Sequence, residues 1–306
     1  MFPPQFDYER PDSLDDAIDT LAADGAVALA GGHDLVPQLK SREAQPKTVV
    51  DLGDLDQLRG VERVLAGGED IARDDAPTER LSIGALTTEA DLLEAEPAGV
   101  DALLDAASEV GDAQIRNRGT VGGNLAAAHP ASDVPAATLA ADATLHLVGP
   151  NGDREVPASE FATGDHETVC GDDELVTRIS VPLDPAAGGA YARKTHPSTG
   201  YAAVGVAARL RVVDGAVSEP RVGVVGLLDV PRRLTAVEDA LDGADAGAPV
   251  EAVEAAAERA GDGVDGAVRE DHVVSAAQRQ ALLPTSVEAA VSGALARAVG
   301  REGVVA

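Results

Sequence analysis

One segment near the N-terminus constrains the fold of this chain more than any other. AVALA at 26–30 reads as a strand, Gly31 and Gly32 interrupt it, LVPQLK begins a short helix, and TVVDL at 48–52 reads as a second strand. This order predicts a β-turn-α-β unit with its glycines at the turn. Paired glycines let the backbone turn sharply and let a ligand approach its N–H groups. On this segment alone, a tight turn with nothing bound is an equally good interpretation.

The rest of the chain divides into two regions. Strands and helices alternate up to about residue 181, which favours an α+β or α/β domain. After Ala190, two apolar stretches joined across Asp214-Gly215, a favoured hairpin dipeptide, predict a three-stranded antiparallel sheet. Alanine-rich helical patterns follow from about 233 to 299. We place the domain boundary at 182–190, where prolines and glycines concentrate.

Composition narrows the classes of partner. The formal net charge is −29, and the only lysines are Lys40, Lys47 and Lys194. Nucleic acid is excluded as a partner, because a polyphosphate needs a basic footprint. Acidic residues are spread along the whole chain, which we interpret as adaptation to a salty cytoplasm (a halophilic protein).

Cys170 is the only cysteine. One cysteine excludes an internal disulfide and any all-cysteine iron–sulfur cluster or zinc site in this chain, and the histidines lack ligand spacing, so we expect no metal.

The N-terminal residues show no basic segment followed by an apolar run, and no apolar stretch reaches the roughly 18 residues of a membrane span. We therefore expect no membrane insertion and a cytoplasmic protein.

A second glycine-rich segment, IRNRGTVGGN at 115–124, places Gly122 and Gly123 in a tight loop flanked by Thr120 and Asn124. Together with the first loop it could clamp a dinucleotide diphosphate from two sides. The alternative is two unrelated turns. Neither loop has the glycine spacing of a Rossmann fingerprint or of a P-loop, which disfavours a nicotinamide dehydrogenase of the usual kind.

These motifs resemble a known family. The stretches at 6–40, 83–88 (IGALTT), 115–143, 190–208 and 222–233 are similar, in order and spacing, to the FAD-binding medium subunits of molybdenum hydroxylases of the carbon monoxide dehydrogenase and xanthine dehydrogenase types. The resemblance implies an α+β fold. It predicts a two-lobed FAD-binding domain of the p-cresol methylhydroxylase type at 1–183, followed at 188–300 by a small domain of antiparallel sheet plus helices.

The resemblance also implies the site. FAD would lie between the two lobes, the two loops would cradle its diphosphate and ribose, and an aspartate, an aliphatic residue, a basic residue and an aromatic residue would supply further contacts. No catalytic residue is predicted. The predicted cofactor-binding residues are Ala28, Leu29, Ala30, Gly31, Gly32, His33, Asp34, Leu35, Thr120, Val121, Gly122, Gly123, Asn124, Asp133, Val176, Arg193, Lys194 and Tyr201.

Two positions depart from the family pattern. Asp34 stands where many members have serine, and we expect its carboxylate to face ribose hydroxyls, since it would repel a diphosphate. His129 stands where aspartate or serine is usual, and we interpret it as a loop residue.

The implied function is electron transfer within a complex. This chain would take electrons from 2Fe-2S clusters of a small iron–sulfur subunit, whose electrons come from molybdopterin in a large molybdenum-binding subunit, and pass them to an external acceptor. Two alternatives remain open: an assembly subunit that has lost FAD, and a stand-alone flavin oxidoreductase, which would need a substrate base of its own.

The acidic composition predicts how the stability of the protein depends on salt concentration. We expect the free energy of unfolding to rise from low salt to about 1 M, where screening shortens to about 3 Å and removes most of the self-repulsion. The measurement is the thermal midpoint at increasing KCl, and a midpoint that stays flat or falls would contradict the interpretation.

Overall fold

The computed structural model describes residues 2–65, 79–195, 200–264 and 266–301. A small parallel sheet lies at the N-terminus, in the order β1-β3-β2. Its strands are β1 (Asp7–Glu9), β2 (Ala26–Leu29) and β3 (Thr48–Asp51). The predicted β-turn-α-β unit is confirmed, because α2 (Leu35–Ser41) connects β2 to β3.

Ser13 followed by apolar residues at helical spacing predicts a capped helix before this unit, and α1 (Leu14–Leu21) begins there. The Ser13 side chain accepts a hydrogen bond from the backbone N–H of Asp16, and an amphipathic face buries Ala17, Ile18 and Leu21 against the sheet.

A five-stranded antiparallel sheet forms the second lobe, in the order β4-β5-β10-β6-β7. Its strands are β4 (Val61–Leu65), β5 (Glu79–Gly84), β6 (Thr144–Gly149), β7 (Gly152–Pro157) and β10 (Leu175–Pro182). A short hairpin of β8 (Ala162–Gly164) and β9 (Glu167–Thr168) accompanies it.

Six helices lie between the strands of this lobe. The segment TTEADLLEAE at 87–96 predicts a capped helix that starts at a threonine, and α3 begins there, with a capping box between Thr88 and Asp91. The helices are α3 (Glu89–Ala95), α4 (Asp101–Glu109), α5 (Ala113–Arg116), α6 (Val121–Ala126), α7 (Val134–Ala140) and α8 (Ala158–Phe161).

The remaining chain forms an antiparallel sheet covered by helices. The predicted hairpin across Asp214-Gly215 is confirmed, with both residues at positive φ (52° and 77°) as a two-residue primed turn requires. The sheet has four strands where we predicted three: β11 (Gly188–Thr195), β12 (Ala202–Val213), β13 (Ala216–Val225) and the two-residue β14 (Arg232–Arg233). The helices are α9 (Thr235–Leu241), α10 (Pro249–Glu258) and α11 (Ala276–Val299).

One buried hydrophobic cluster crosses the predicted domain boundary, although the C-terminal sheet and helices also have a cluster of their own. β10 ends at Pro182 and β11 begins at Gly188, so the chain changes sheet where the boundary was placed. However, Tyr191, Ala202 and Val225 of the following strands belong to the same buried cluster as the five-stranded sheet. Each large apolar side chain buried in such a cluster contributes about 1.5–3 kcal/mol. The two regions are therefore packed together through apolar contacts.

Candidate functional site

A cleft of about 770 Å³ lies among the described residues, largely within the predicted FAD-binding domain. Small-molecule sites commonly measure about 300–1,000 Å³. Fifteen of the eighteen predicted site residues line it: Ala28, Leu29, Ala30, Gly31, Gly32, His33, Asp34, Leu35, Thr120, Gly122, Gly123, Asn124, Asp133, Val176 and Tyr201.

The first glycine loop presents free hydrogen-bond donors. The backbone N–H groups of residues 31–34 donate to no acceptor in the described parts of the chain. Gly32 adopts a φ of +82°, a conformation that non-glycine residues rarely take. Successive free N–H groups around such a residue form a concavity that binds anions. This loop therefore offers free N–H donors to an anionic group.

The two loops touch each other. A Cβ atom added to Gly31 would lie 2.4 Å from the carbonyl oxygen of Arg118 and 2.9 Å from the Cα of Gly119. A Cβ on Gly123 would lie 3.5 Å from the Cβ of Ala30. Glycine at position 31 is thus what lets two backbones from distant parts of the sequence pack side by side, whereas the contact with Ala30 at Gly123 is an ordinary one.

The second glycine loop differs from our expectation. Its backbone N–H groups already have acceptors: Val121 donates to Thr87, Gly122 to Ala85, Gly123 to the Thr120 hydroxyl and Asn124 to the Thr120 carbonyl, at 2.8–3.2 Å. The N–H groups of residues 121–124 are therefore not free to bind a ligand. The second loop supplies a wall and the Asn124 side chain, whose Oδ1 accepts from the Ser132 hydroxyl at 2.6 Å.

Glu89 is a residue of the cleft that the sequence analysis missed. It is 1% exposed, lines the cleft behind the second loop, and its Oε2 atom has no hydrogen-bond partner. Burial raises the pKa of this carboxyl to about 7, opposed by its own backbone N–H, the Asn124 side chain and the charge of Arg116. In the sequence, its position after Thr88 indicates only the start of a helix. Its contact with Gly119 arises through tertiary packing, which the sequence does not display.

Asp34 lies in the cleft beside two histidines. Burial raises the pKa of its carboxyl, while the charges of His166 and His33 lower it. His33 itself is tied to the second segment, because its Nε2 lies 3.1 Å from the carbonyl oxygen of Ile115. The ribose contact expected of Asp34 remains a prediction.

Asp133 connects the cleft to the C-terminal sheet. Its Oδ1 accepts from the Tyr191 hydroxyl at 2.5 Å and its Oδ2 from Arg193 at 2.8 Å. Burial raises the pKa of Asp133 to about 6, with Arg193 and Tyr191 opposing. Arg193 also donates to the carbonyl of Gly200 and pairs with Glu109. Asp133 therefore lines the cleft and also binds the Arg193 side chain, which in turn binds Gly200, the residue before Tyr201.

Three predicted site residues do not line the cleft. Val121 is fully buried in the hydrophobic core, Arg193 is turned to Asp133 and Glu109, and Lys194 lies exposed on β11 opposite Val204. These three therefore stay predictions that the geometry of the cleft does not favour.

Three rings form a cluster at the cleft. The rings of His129 and Tyr201 are stacked, with centroids 4.0 Å apart and planes 13° apart, and His166 meets His129 edge-on at 5.2 Å. All three residues line the cleft. His129 and His166 were not predicted, since their segments meet only in the folded chain.

Comparisons with known proteins identify the family of this chain. Residues 4–184 match the family described as the FAD binding domain in molybdopterin dehydrogenase. The carbon monoxide dehydrogenase medium chain of Hydrogenophaga pseudoflava is 36% identical over 232 residues, covering 74% of this chain and 76% of that one. The glyceraldehyde dehydrogenase medium chain of Sulfolobus acidocaldarius is 34% identical over 241 residues, covering 78% and 81%.

Solved structures agree over nearly the whole chain. Carbon monoxide dehydrogenase from Hydrogenophaga pseudoflava aligns with a TM-score of 0.85 and 34% identity, covering 97% of this chain and 99% of that one. Quinoline 2-oxidoreductase from Pseudomonas putida 86 aligns with a TM-score of 0.82 and 26% identity, covering 97% and 99%. The chain belongs to the FAD-binding family of molybdopterin dehydrogenases and is an oxidoreductase subunit with the predicted α+β fold.

The residues present fit FAD. The free N–H groups of residues 31–34 suit its diphosphate, and apolar side chains such as Leu29 and Val176 line the cleft beside them. In the described ranges, no group of three His, Cys, Asp or Glu side chains is placed to hold a metal, and no helix has the length and apolar character to cross a bilayer.

Proposed function

We propose that this chain is the electron outlet of a molybdenum hydroxylase complex. It would hold FAD between iron–sulfur clusters of a small partner subunit and an external acceptor, while a large partner subunit carries the molybdenum cofactor and oxidises the substrate. FAD supplies the redox chemistry, and this chain's residues bind and orient it. The observation that carries the proposal is the cradle of free N–H groups at residues 31–34, inside a cleft lined by most of the predicted residues.

The sequence supports the need for partners. A single cysteine cannot ligate an all-cysteine cluster, so electrons must come from a cluster on another polypeptide. Relatives named as medium chains of carbon monoxide and glyceraldehyde dehydrogenases support an assembly with a large and a small subunit. We propose a heterotrimer or a dimer of heterotrimers.

The proposal is tested on the intact complex after gentle removal of flavin. Two rates are compared before and after adding back FAD: electron transfer to an external acceptor (NAD⁺, a quinone or oxygen), and transfer to a dye that takes electrons from the clusters. We expect flavin removal to abolish electron transfer to the external acceptor and to leave the rate with the dye unchanged. Added FAD should restore the first rate, whereas FMN, which lacks the adenylate, should not. A flavin-free complex that reduces the natural acceptor at the full rate would remove this chain from the electron path.

The two alternatives make different predictions. An assembly subunit without cofactor would purify colourless and bind no added FAD, whereas the free cradle at residues 31–34 supports binding. A stand-alone oxidoreductase would purify without larger partners and turn over an organic substrate alone.

We predict that FAD is bound non-covalently. Cys170 does not line the cleft, and burial raises the pKa of its thiol to about 12, so it is a poor nucleophile at neutral pH. Acid precipitation should leave the yellow chromophore in the supernatant. Colour that stays with the precipitated polypeptide would show a covalent bond, and peptide mapping would then locate it.

A further inference from the structure

His129 is held in one orientation by three neighbours. The backbone N–H of Ala131 donates to its Nδ1 at 3.1 Å. The Tyr201 ring lies parallel to it at 4.0 Å, and the His166 ring packs edge-on at 5.2 Å. A side chain fixed from three directions loses little conformational entropy when it binds a ligand.

These contacts determine where the imidazole proton lies. A backbone N–H can only donate, so Nδ1 of His129 is the acceptor and the proton of the neutral ring is on Nε2. Burial, followed by the charges of His166 and Arg269, lowers the pKa of His129 to about 4 against the opposing charges of Asp165 and Asp271. The ring is therefore neutral at pH 7, and its Nε2–H has no acceptor within the part of the chain that is described.

The loop that carries His129 rests on the C-terminal sheet. Gly226 donates from its backbone N–H to the carbonyl of Pro130 at 2.8 Å, and Ala202 donates to Ala131 at 3.3 Å. Arg279, which is 2% exposed, donates to the carbonyl of Gly226 at 2.6 Å. The backbone that carries His129 and its free donor is thus fixed by hydrogen bonds from the C-terminal sheet.

We propose that His129 is a binding residue, whose Nε2–H donates a hydrogen bond to an acceptor atom on the edge of a planar nitrogen heterocycle of the bound dinucleotide. This inference rests on the proposed function. Both ring systems of FAD carry such acceptors, namely carbonyl oxygens and ring nitrogens in the flavin and ring nitrogens in the adenine. A planar ring suits this part of the cleft because its neighbours, Tyr201 and His166, are themselves rings. The diphosphate has a separate cradle at residues 31–34.

Two substitutions of His129 test its hydrogen-bond donor and its ring separately. His129→Phe keeps a ring to stack on Tyr201 and removes the donor, while His129→Gln keeps a donor of similar reach and removes the ring. Binding of FAD, riboflavin and ADP to the full chain is measured by calorimetry. We expect His129→Phe to weaken FAD binding by about three- to tenfold, as for one lost neutral hydrogen bond, and His129→Gln to recover most of the loss.

The ligand fragments identify the ring. A loss for riboflavin but not ADP assigns the acceptor to the flavin, and the reduction potential of bound FAD should then fall in His129→Phe, since a donor stabilises electron density gained on reduction. A loss for ADP alone assigns it to adenine. His272→Phe, at an exposed histidine outside the cleft, is the matched control and should bind like the wild type.

Three outcomes would overturn the inference. In the first, His129→Phe binds all three ligands within twofold of the wild type. In the second, His129→Gln binds as weakly as His129→Phe, which places the loss in packing. In the third, the wild-type chain binds none of the ligands, which overturns the proposed function together with this inference.

Discussion

Gly31→Ala is expected to weaken FAD binding by about ten- to a hundredfold. The added Cβ would lie 2.4 Å from the carbonyl oxygen of Arg118 and 2.9 Å from the Cα of Gly119, both backbone atoms that no side-chain rotation can move. Overpacking of this kind costs about 1–3 kcal/mol. The two loops would have to separate, and the free N–H groups at residues 31–34 would lose their arrangement. Quenching of flavin fluorescence on titration of the full chain gives the affinity.

The matched control is Gly261→Ala. Gly261 is exposed, has no positive φ, and an added Cβ would meet no atom within 4 Å. It should bind FAD like the wild type. Thermal unfolding of both variants checks that the chain still folds. If Gly31→Ala folds normally and binds FAD with wild-type affinity, the close approach of the two loops does not shape the cofactor site.

Glu89→Gln is expected to stabilise the protein by about 3 kcal/mol at pH 8 and by very little at pH 4.5. The folded chain raises the pKa of this carboxyl from 4.5 to about 7. Between these two pH values the carboxyl is ionised in the unfolded chain but stays protonated in the folded one, which favours the unfolded chain. Stability is therefore lost as the pH rises through this window, and the loss is complete above about 7. Glutamine fills a similar volume without a charge. Urea unfolding at the two pH values gives the difference.

Glu94→Gln is the control for the glutamate substitution. Glu94 lies on the same helix, α3, but is exposed, so its substitution should change stability by less than about 0.5 kcal/mol at either pH. If Glu89→Gln is no more stable than the wild type at pH 8, the buried carboxyl has a partner that compensates for its charge.

Local signals account for what the sequence predicted well. The unit at 26–52, the start of α3 at Thr88 and the hairpin at Asp214-Gly215 each depend on residues within a short stretch, and all are found. The short β14 was missed, because a two-residue strand carries no periodicity and forms only by pairing with β13.

The site was predicted less completely, for a physical reason. The sequence located the glycines but not the acceptors of the Val121 and Gly122 N–H groups, since Thr87 and Ala85 come from a distant segment. Glu89 and His129 are functional candidates only because folding buries one and orients the other. Their identity depends on tertiary packing, which a single sequence does not display.

The buried cluster that runs from the five-stranded sheet into the C-terminal strands has a consequence for how the molecule comes apart. Tyr191, Ala202 and Val225 contribute to the same apolar interior as Ile83 and its neighbours. The C-terminal sheet and helices also have a cluster of their own, but opening either region would expose apolar surface of the shared cluster, which couples their unfolding. Heating should therefore produce one cooperative transition, in which the walls of the cleft and the helices behind them are lost at the same temperature.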